Sequence, residues 1–239
     1  MSPQGSTSVN HRGYQLSIFW AADAFPQGER ASALAAMDHI STSIWQIDPR
    51  FFAQIGSGLF TADDILAAIY FNGQLVGFSS YRRLLISNCD VLFQRYTAIH
   101  EDHHKQGLYR AVTDLIVRRE YRSSSQPLFY AWRTRSPVMW FANVRYCRRV
   151  APDLASSAVD EGLLGLGAAV ASRMYPGLLL DARSLRISDV YPGDSGYHVP
   201  QHHRDARLDQ LFYRQPAIAT SHDALIGVGE LTRMEAGDD

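Results

Sequence analysis

The stretch "YTAIHEDHHKQGLYRAVTDLIVRR", residues 96–119, decides the fold because its pattern changes at one glycine. The residues before Gly107 begin as a β-prone run and become polar and rich in histidine. After Gly107 an apolar side chain recurs every three or four positions, which predicts an amphipathic helix over about residues 107–121. The apolar stripe of this helix consists of Leu108, Ala111, Val112, Leu115 and Ile116.

The turn before this helix is a candidate anion site. The first N–H groups of a helix have no acceptor within the helix, and the helix dipole places positive potential beside them. Gly107 would allow close approach of the backbone, while Lys105 and His104 add hydrogen-bonding or positive side chains at the rim. An ordinary solvated loop remains the alternative for this stretch taken alone, since one glycine is weak evidence for a phosphate site.

A metal site is another interpretation of the histidine-rich residues. The histidines concerned are His100, His103, His104, His198, His202 and His203. Four of them form two adjacent pairs, and neighbouring side chains point apart on a helix or a strand. We therefore predict no metal and assign His104 to the turn.

The residues before this stretch predict a tail, a strand, two helices and a hairpin. Residues 1–12 are polar, and we expect them to form a flexible tail. Thr61 is expected to cap a helix that has acidic residues in its first turn. The dipeptide Asn72-Gly73 tolerates the positive φ angles of a tight turn and lies between two β-prone runs, which predicts a hairpin. A strand within 14–24 and a helix over about 29–45 complete this part.

The residues that follow alternate between strand and helix patterns. Strands are predicted over 90–100 and 126–134, and Ser136 is expected to cap a helix of residues 137–148. The last third predicts a helix, a β-like run, a short helix and a strand, at residues 160–175, 177–191, 205–215 and 222–234. Turns are expected at 181–183 and 192–196. We infer a single α/β domain over 13–239, with an extra helical segment in the C-terminal third.

Composition limits the classes of partner. The chain has 239 residues, of which 46% are hydrophobic, and its formal net charge is −1. That balance gives no global attraction to nucleic acid or to an anionic membrane. The two cysteines, Cys89 and Cys147, cannot build a disulfide framework. Because neither an apolar signal region nor a long apolar span is visible, we predict a soluble cytoplasmic protein without a membrane partner.

The same stretch resembles motif A of the GCN5-related N-acetyltransferase (GNAT) superfamily. Ala98-Ile99 takes the place of the strand end, and residues 104–109 take the place of the Q/R-x-x-G-x-G/A turn. "WRTRSPVMWFANVRYC", residues 132–147, is similar to motif B, and the predicted hairpin matches the superfamily's β2–β3 pair. The resemblance covers roughly residues 60–150. His104 in a Q/R position, Tyr109 in a small-residue position and Ser136 in place of Asn are departures from the pattern.

The resemblance implies a mixed, centrally splayed β-sheet flanked by helices, and acetyl-CoA or another acyl-CoA as co-substrate. The strands at 90–100 and 126–134 would splay apart to admit the thioester. The backbone at Ile99 and His100 would pair with the pantetheine arm. The coenzyme-binding residues that it implies are Ile99, His100, His104, Lys105, Gln106, Gly107, Leu108, Tyr109, Arg110 and Ser136. Amides of the turn would hold the pyrophosphate, and Lys105 and Arg110 would add positive charge.

The catalytic residues are less evident. The superfamily often carries an acid on the strand before motif A, but "LFQRYTAIH", residues 92–100, has none. We consider Tyr96 on that strand and Glu101 at its end as candidates, with a core tyrosine and a solvated carboxylate as the alternatives. The superfamily's usual general-acid tyrosine would fall at Asn143, and Tyr146, one helical turn later, is the candidate substitute.

These observations predict an acyl-CoA-dependent N-acyltransferase that acts on a small-molecule amine by direct attack on the thioester. The alternative is an enzyme of the same fold that has lost acyl transfer and catalyses another reaction on a thioester or a small metabolite. The altered turn and the missing strand carboxylate favour that alternative. Non-catalytic ligand binding is a third interpretation. The acceptor and the oligomeric state, a homodimer included, stay open.

Overall fold

The computed structural model describes residues 5–156, 159–191, 201–214 and 222–232. The chain is an α/β protein that divides into two compact units. The first unit comprises residues 1–83 and 94–117, and the second comprises residues 84–93 and 118–239. The single domain over 13–239 stays a prediction.

The described part of the chain contains strands β1 to β10 and helices α1 to α6. In chain order they are β1 Ser6–His11, β2 Tyr14–Phe19, α1 Arg30–Thr42, α2 Phe51–Ile55, β3 Asp64–Phe71, β4 Gln74–Ile86, β5 Cys89–Ile99, α3 Leu108–Ser123, β6 Leu128–Thr134, α4 Pro137–Val144, β7 Cys147–Ala151, α5 Glu161–Met174, β8 Leu180–Asp181, β9 Arg186–Ile187, α6 Ala206–Tyr213 and β10 Ala224–Leu231. Most of these elements lie where the sequence predicts them.

The first unit is built on the strand order β1-β2-β3-β4-β5. It contains β4 up to residue 83 and β5 from residue 94 onward. β2 and β3 pair antiparallel, as do β3 and β4. Its core lies on the face covered by α1 and α2, where Met37, Phe52 and Phe78 are fully buried. The apolar spacing of residues 29–45 predicted α1, and this prediction is confirmed.

The hairpin at Asn72-Gly73 is also confirmed, since both residues have positive φ angles, 50° and 78°. Arg12-Gly13 forms a second such turn, with φ angles of 50° and 84°. It joins β1 to β2 as an antiparallel pair. The prediction of a flexible tail over 1–12 is therefore wrong for residues 6–11. Polar side chains can occupy a strand that is exposed along its length, as β1 is.

The helix predicted to begin at Thr61 does not form. Strand β3 occupies Asp64–Phe71 instead, and six of its eight residues are buried. Residues buried on both faces of a strand show no alternation of apolar and polar positions, which makes such runs hard to distinguish from a buried helix. The hydroxyl of Thr61 donates to the Asp64 carboxylate at 2.8 Å rather than to a helix terminus.

The second unit continues the order β4-β5-β6-β10-β9-β8, with β7 paired to β10. β5 and β6 are neighbours in this order, and α3 lies between them in the chain. β10 pairs antiparallel with both β6 and β7. The C-terminal third contributes strands β8, β9 and β10 and helices α5 and α6 to this unit, and the two helices and the last strand lie where the sequence predicts them.

Two glycines of β10 allow close packing in the second unit. A Cβ atom on Gly227 would lie 2.3 Å from the indole ring of Trp132, and one on Gly229 would lie 2.5 Å from the Cys147 sulfur. The helix predicted to run to residue 148 ends at Val144, because β7 begins at Cys147 and pairs with β10. The turn predicted at 181–183 joins β8 to β9, whereas the one at 192–196 lies outside the described residues.

Candidate functional site

The polar turn between β5 and α3 has two residues in the left-handed backbone region. Lys105 has a φ angle of 63° and Gly107 one of 75°. A short 3-10 turn, Glu101–His103, precedes them. The Gly107 carbonyl accepts a hydrogen bond from the N–H of Ala111 at 3.0 Å, so Gly107 is the residue at which helical bonding begins. The predicted strand, turn and helix are confirmed.

Gly107 is required by its backbone conformation rather than by crowding. A Cβ atom at this position would have only the His11 Nε2 atom within 4 Å, at 3.8 Å. At a φ angle of 75° a side chain is strained, most of all a β-branched one. The space above the first turn of α3 is therefore open on the side that a Gly107 side chain would occupy.

His104 binds back to the strand rather than extending over the turn. Its Nε2 atom lies 2.7 Å from the carbonyl oxygen of Ile99. Because a carbonyl oxygen only accepts, Nε2 carries the proton in this contact. This bond links the end of β5 to the turn and leaves Nδ1 as the His104 ring atom for a ligand. It uses one of the two lone pairs of the Ile99 carbonyl oxygen.

His100 has its backbone and its ring engaged within the first unit. Its N–H donates to the Val76 carbonyl at 2.8 Å, and its ring accepts from the N–H of Asp102 at 3.4 Å. Backbone groups alternate in direction along a strand, so the Ile99 groups point away from β4. Both strand-end residues were predicted to pair with pantetheine. For Ile99 this stays a prediction, whereas the N–H of His100 is already bonded to Val76.

Aromatic and imidazole rings support the turn from the N-terminal strands. The hydroxyl of Tyr14 lies 3.0 Å from His103 Nδ1, and His11 Nε2 lies 3.3 Å from the Gln106 carbonyl. The ring of Phe71 contacts His103 with a centroid separation of 5.3 Å. The hairpin that the sequence did not predict, β1–β2, thus holds the polar turn in place.

Residues 100–104, "HEDHH", have the H-E-x-x-H spacing of zinc-binding helices. That spacing places two histidines on one face only where the segment is helical. Here His100 caps a 3-10 turn and His104 binds Ile99, so the two rings serve different local contacts. No group of three or more metal-ligating side chains occurs within the part of the chain that the structure describes.

The side chains of the turn and of the first turn of α3 differ in their exposure and in their partners. Lys105 and Gln106 are exposed, as is Glu101. Arg110 forms an ion pair with Asp114, one turn along α3, at 3.5 Å. Its side chain is 52% exposed, so this ion pair is weak and its charge can still act on a ligand. Leu108 is buried beneath the turn.

Tyr109, which replaces a small residue of motif A, directs its side chain into a polar network. Its hydroxyl lies 3.3 Å from the Gln94 amide, and Gln94 also bonds Thr97 at 2.9 Å. The hydroxyls of Tyr81 and Thr113 are 3.0 Å apart in the same network. Burial raises the pKa of Tyr81, so its hydroxyl stays protonated. The Tyr109 side chain therefore does not block the first turn of α3.

Two consecutive residues of β5 lie on one face. Arg95 donates to the carboxylate of Asp64, which also binds Arg82. The ring of Tyr96 contacts that of Phe52 at a centroid separation of 5.4 Å. Phe52 also contacts Phe78, which shares a face of β4 with Arg82 because the two are four residues apart.

The ion cluster joins three strands of the first unit. Asp64, fully buried at the start of β3, receives two hydrogen bonds from Arg82 at 2.7 Å and one from Arg95 at 3.1 Å. Both arginines also donate to the Gly58 carbonyl. The hydrogen bond with Asp64 raises the pKa of Arg82. The sequence pattern did not predict this cluster, although an acidic residue at the start of an apolar run was a usable indication of it.

Helix α2 is fixed beside Tyr96 by a buried carboxylate. Asp38 of α1 accepts hydrogen bonds from the N–H groups of Phe52 and Ala53, at 2.6 and 3.1 Å. This carboxylate stabilises the positive end of α2. The ring of Phe51, the first residue of α2, lies 5.8 Å from that of Tyr96. Among the described residues Tyr96 makes no hydrogen bond through its hydroxyl, so that group is available to a ligand.

In the second unit, Ser136 is the N-cap predicted from the sequence. Its hydroxyl accepts from the N–H of Met139 at 3.3 Å, and Pro137 occupies the first helical position. Ser136 is 1% exposed, and its N–H donates to Thr134 at 2.9 Å. A contact between Ser136 and a coenzyme stays a prediction beside this structural function.

We expect Ser136→Ala to lower the free energy of unfolding by about 1 kcal/mol, because the first turn of α4 loses its side-chain acceptor. Urea unfolding measures the loss. Ser136→Thr is the matched control, since it keeps the capping hydroxyl and should recover most of the stability. Equal stability of the Ala variant and the wild-type protein would contradict the capping assignment.

Asn143 and Tyr146, the general-acid positions, are both buried. The Asn143 side chain accepts a hydrogen bond from Tyr130 at 3.0 Å. The hydroxyl of Tyr146 accepts from Arg145 at 2.9 Å, and its residue is 1% exposed. Asn143 therefore supports the core of the second unit. Tyr146 keeps its own hydroxyl proton when it accepts from Arg145, so its burial rather than this contact separates it from a ligand.

The structure is similar to solved structures of N-acetyltransferases. It aligns with the ribosomal-protein-S18-alanine N-acetyltransferase of Escherichia coli at a TM-score of 0.43 and 15% identity, over 94% of this chain and 98% of that one. For NAA60 of Arabidopsis thaliana the TM-score is 0.39 at 14% identity, over 85% and 95% of the two chains. For N-acetylglutamate synthase of Neisseria gonorrhoeae it is 0.41 at 13% identity, over 91% and 35%.

No protein-family model matches the sequence, and no curated protein matches it. Within the described residues, no helix is both long enough and apolar enough to cross a membrane.

Proposed function

We propose that the chain is an acyl-CoA-dependent N-acyltransferase of the GNAT type. The observation that carries this proposal is the unit formed by the end of β5, the left-handed turn at Lys105 and Gly107, and the first turn of α3. It combines a glycine-opened helix start with exposed cationic and amide side chains. These are the groups that a pyrophosphate requires.

In this proposal, the turn residues divide the binding of the co-substrate between them. The N–H groups from Lys105 to Arg110 and the side chains of Lys105 and Gln106 would take the pyrophosphate, whereas the His104 N–H, also predicted to do so, already donates to the Glu101 carbonyl at 3.1 Å. The backbone of Ile99, at the end of β5, would pair with pantetheine. Ser136 of the second unit is a further proposed coenzyme contact. The hydrogen-bond donors and the positive charge of these residues thus suit the anionic pyrophosphate of an acyl-CoA.

Transfer would proceed by attack of an acceptor amine on the thioester carbonyl, which forms a C–N bond and releases the thiolate of coenzyme A. The amine must lose a proton and the thiolate must gain one. Tyr96 is the best-placed candidate in the first unit for a group that handles the amine, because its hydroxyl has no partner among the described residues. Glu101 is exposed, and Tyr146 is buried beside Arg145. Both remain weaker candidates.

The acceptor that we propose is a small-molecule amine, in a cytoplasmic protein that needs no metal and binds no nucleic acid or membrane. The balanced charge of the chain supports this over a strongly charged polymer. The alternative is an enzyme that binds a thioester in the same way and catalyses another reaction. The absence of an acidic residue from residues 92–100, which cover most of β5 and its end, favours this alternative.

Calorimetric titration with coenzyme A tests the proposal. We expect saturable binding, at least tenfold tighter than that of pantetheine, because pantetheine lacks the pyrophosphate that the turn would hold. Thiol release from acetyl-CoA in the presence of amines then tests transfer. An absence of binding at millimolar coenzyme A contradicts the phosphate assignment. Binding without amine-dependent thiol release favours the alternative reaction.

A further inference from the structure

The ion cluster of Asp64, Arg82 and Arg95 carries one more positive than negative charge. Asp64 is fully buried, and the side chains of Arg82 and Arg95 are only 26% and 12% exposed. Asp64 is the one acidic side chain of the described residues that forms an ion pair with either arginine; Asp63 acts on Arg82 through its charge without such a contact. An unbalanced charge in so little solvent is costly unless an anion completes it.

Asp64 cannot neutralise both guanidinium groups. Its Oδ1 atom accepts from Arg82, and its Oδ2 atom accepts from Arg82, Arg95 and the hydroxyl of Thr61. Four donors fill the acceptor capacity of a carboxylate. Arg82 binds it through two parallel bonds, which is the stronger geometry, whereas Arg95 uses a single nitrogen. The excess charge therefore belongs chiefly to Arg95.

Arg95 keeps one edge of its guanidinium for a ligand. Its Nη1 atom donates to Asp64 and to the Gly58 carbonyl, at 3.1 and 2.8 Å. Its Nε and Nη2 atoms make no hydrogen bond to any residue that the structure describes. The guanidinium carbon lies 5.4 Å from the centroid of the Tyr96 ring. The result is a planar donor edge, held in place at its other side, next to an aromatic surface.

We propose that Arg95 binds a carboxylate of the acceptor, so that the substrate class is an amine that also carries a carboxylate. A carboxylate presents two oxygens in one plane and matches the paired donors of a guanidinium. An apolar part of the acceptor would pack on Tyr96 and Phe51, which are both partly exposed. This inference rests on the proposed acyltransferase function and on Tyr96 lying at the acceptor side of β5.

The test uses matched pairs of ligands with the full-length protein. The probes are ω-amino acids with chains of about two to six carbons, together with phenylalanine and tyrosine, and the primary amide of each. Calorimetry in the absence of acyl-CoA measures their binding. We expect at least one acid to bind tenfold or more tightly than its amide. In the acetyl-CoA assay the same acid should support thiol release and its amide should not.

Arg95→Gln should abolish the preference for the acid while the affinity for coenzyme A stays within twofold of wild type. The variant leaves Asp64 paired with Arg82 as a neutral couple, which favours folding. Arg95→Lys, which keeps the charge and loses the planar fork, should retain a reduced preference and serves if the Gln variant fails to fold. Arg173→Gln removes one exposed charge from α5 and is the control.

Equal binding of every acid and its amide overturns this inference, and so does a preference that survives Arg95→Gln. Because the acids are titrated without coenzyme, these outcomes are separate from those of the coenzyme A titration. If coenzyme A binds but no acid is preferred over its amide, the proposed function stands and the proposed acceptor carboxylate is ruled out. A preference for acids without coenzyme A binding removes the acyltransferase and leaves an amino-acid site at Arg95.

Discussion

Asp64→Asn is expected to lower the free energy of unfolding by about 3–5 kcal/mol, because it leaves Arg82 and Arg95 without a counter-charge in a poorly solvated site. The Asn side chain has the volume of Asp but places a neutral amide against two cations. For a chain of this size the melting temperature should fall by roughly 10 °C. Urea unfolding and calorimetry measure the two quantities.

A double-mutant cycle isolates the cause of that loss. Asp64→Asn should cost less in the Arg95→Gln background than in wild type, because one fewer cation is then left unpaired. Asp90→Asn is the control, since Asp90 is exposed on β5 and its substitution should change stability by under about 0.5 kcal/mol. A loss below about 1 kcal/mol for Asp64→Asn would show that the ion cluster does not stabilise the fold.

The elements predicted correctly from the sequence are those whose pattern is local. The α3 stripe, the Asn72-Gly73 turn and the Ser136-Pro137 helix start each depend on neighbouring residues, and all three are present. β3 was assigned to a helix in part because it is buried on both faces and shows no alternation. β1 was missed because its side chains are polar, and only pairing with β2 gives it a strand conformation.

The site shows the same division between local and long-range information. The glycine turn was predictable because the helix start and the left-handed residue lie within a few positions of each other. The ion cluster was not, since Asp64 and Arg95 are 31 residues apart and meet only in the folded sheet. The hydrogen bond between the His104 ring and the Ile99 carbonyl was also not predicted, because sequence spacing does not fix the direction of a side chain.

Gly107→Val is expected to weaken coenzyme A binding by about 1–3 kcal/mol, that is, by roughly 5- to 150-fold. Valine is strained at a φ angle of 75°, so the turn must shift away from the arrangement that directs its N–H groups at the anion. No close clash is expected at the Cβ, whose one neighbour within 4 Å among the described residues is His11 Nε2, at 3.8 Å. The free protein can relax its exposed turn, so the stability loss should be smaller than the affinity loss.

Gly73→Val is the matched control for that measurement. Gly73 has a φ angle of 78° and also faces open space, but it lies in the β3–β4 hairpin. Its replacement imposes a similar backbone strain without touching the turn before α3. The free energy of unfolding should therefore fall in both variants, whereas coenzyme A affinity should fall only in Gly107→Val. Loss of affinity in both would trace the effect to general destabilisation, and unchanged affinity in Gly107→Val would remove the pyrophosphate from this turn.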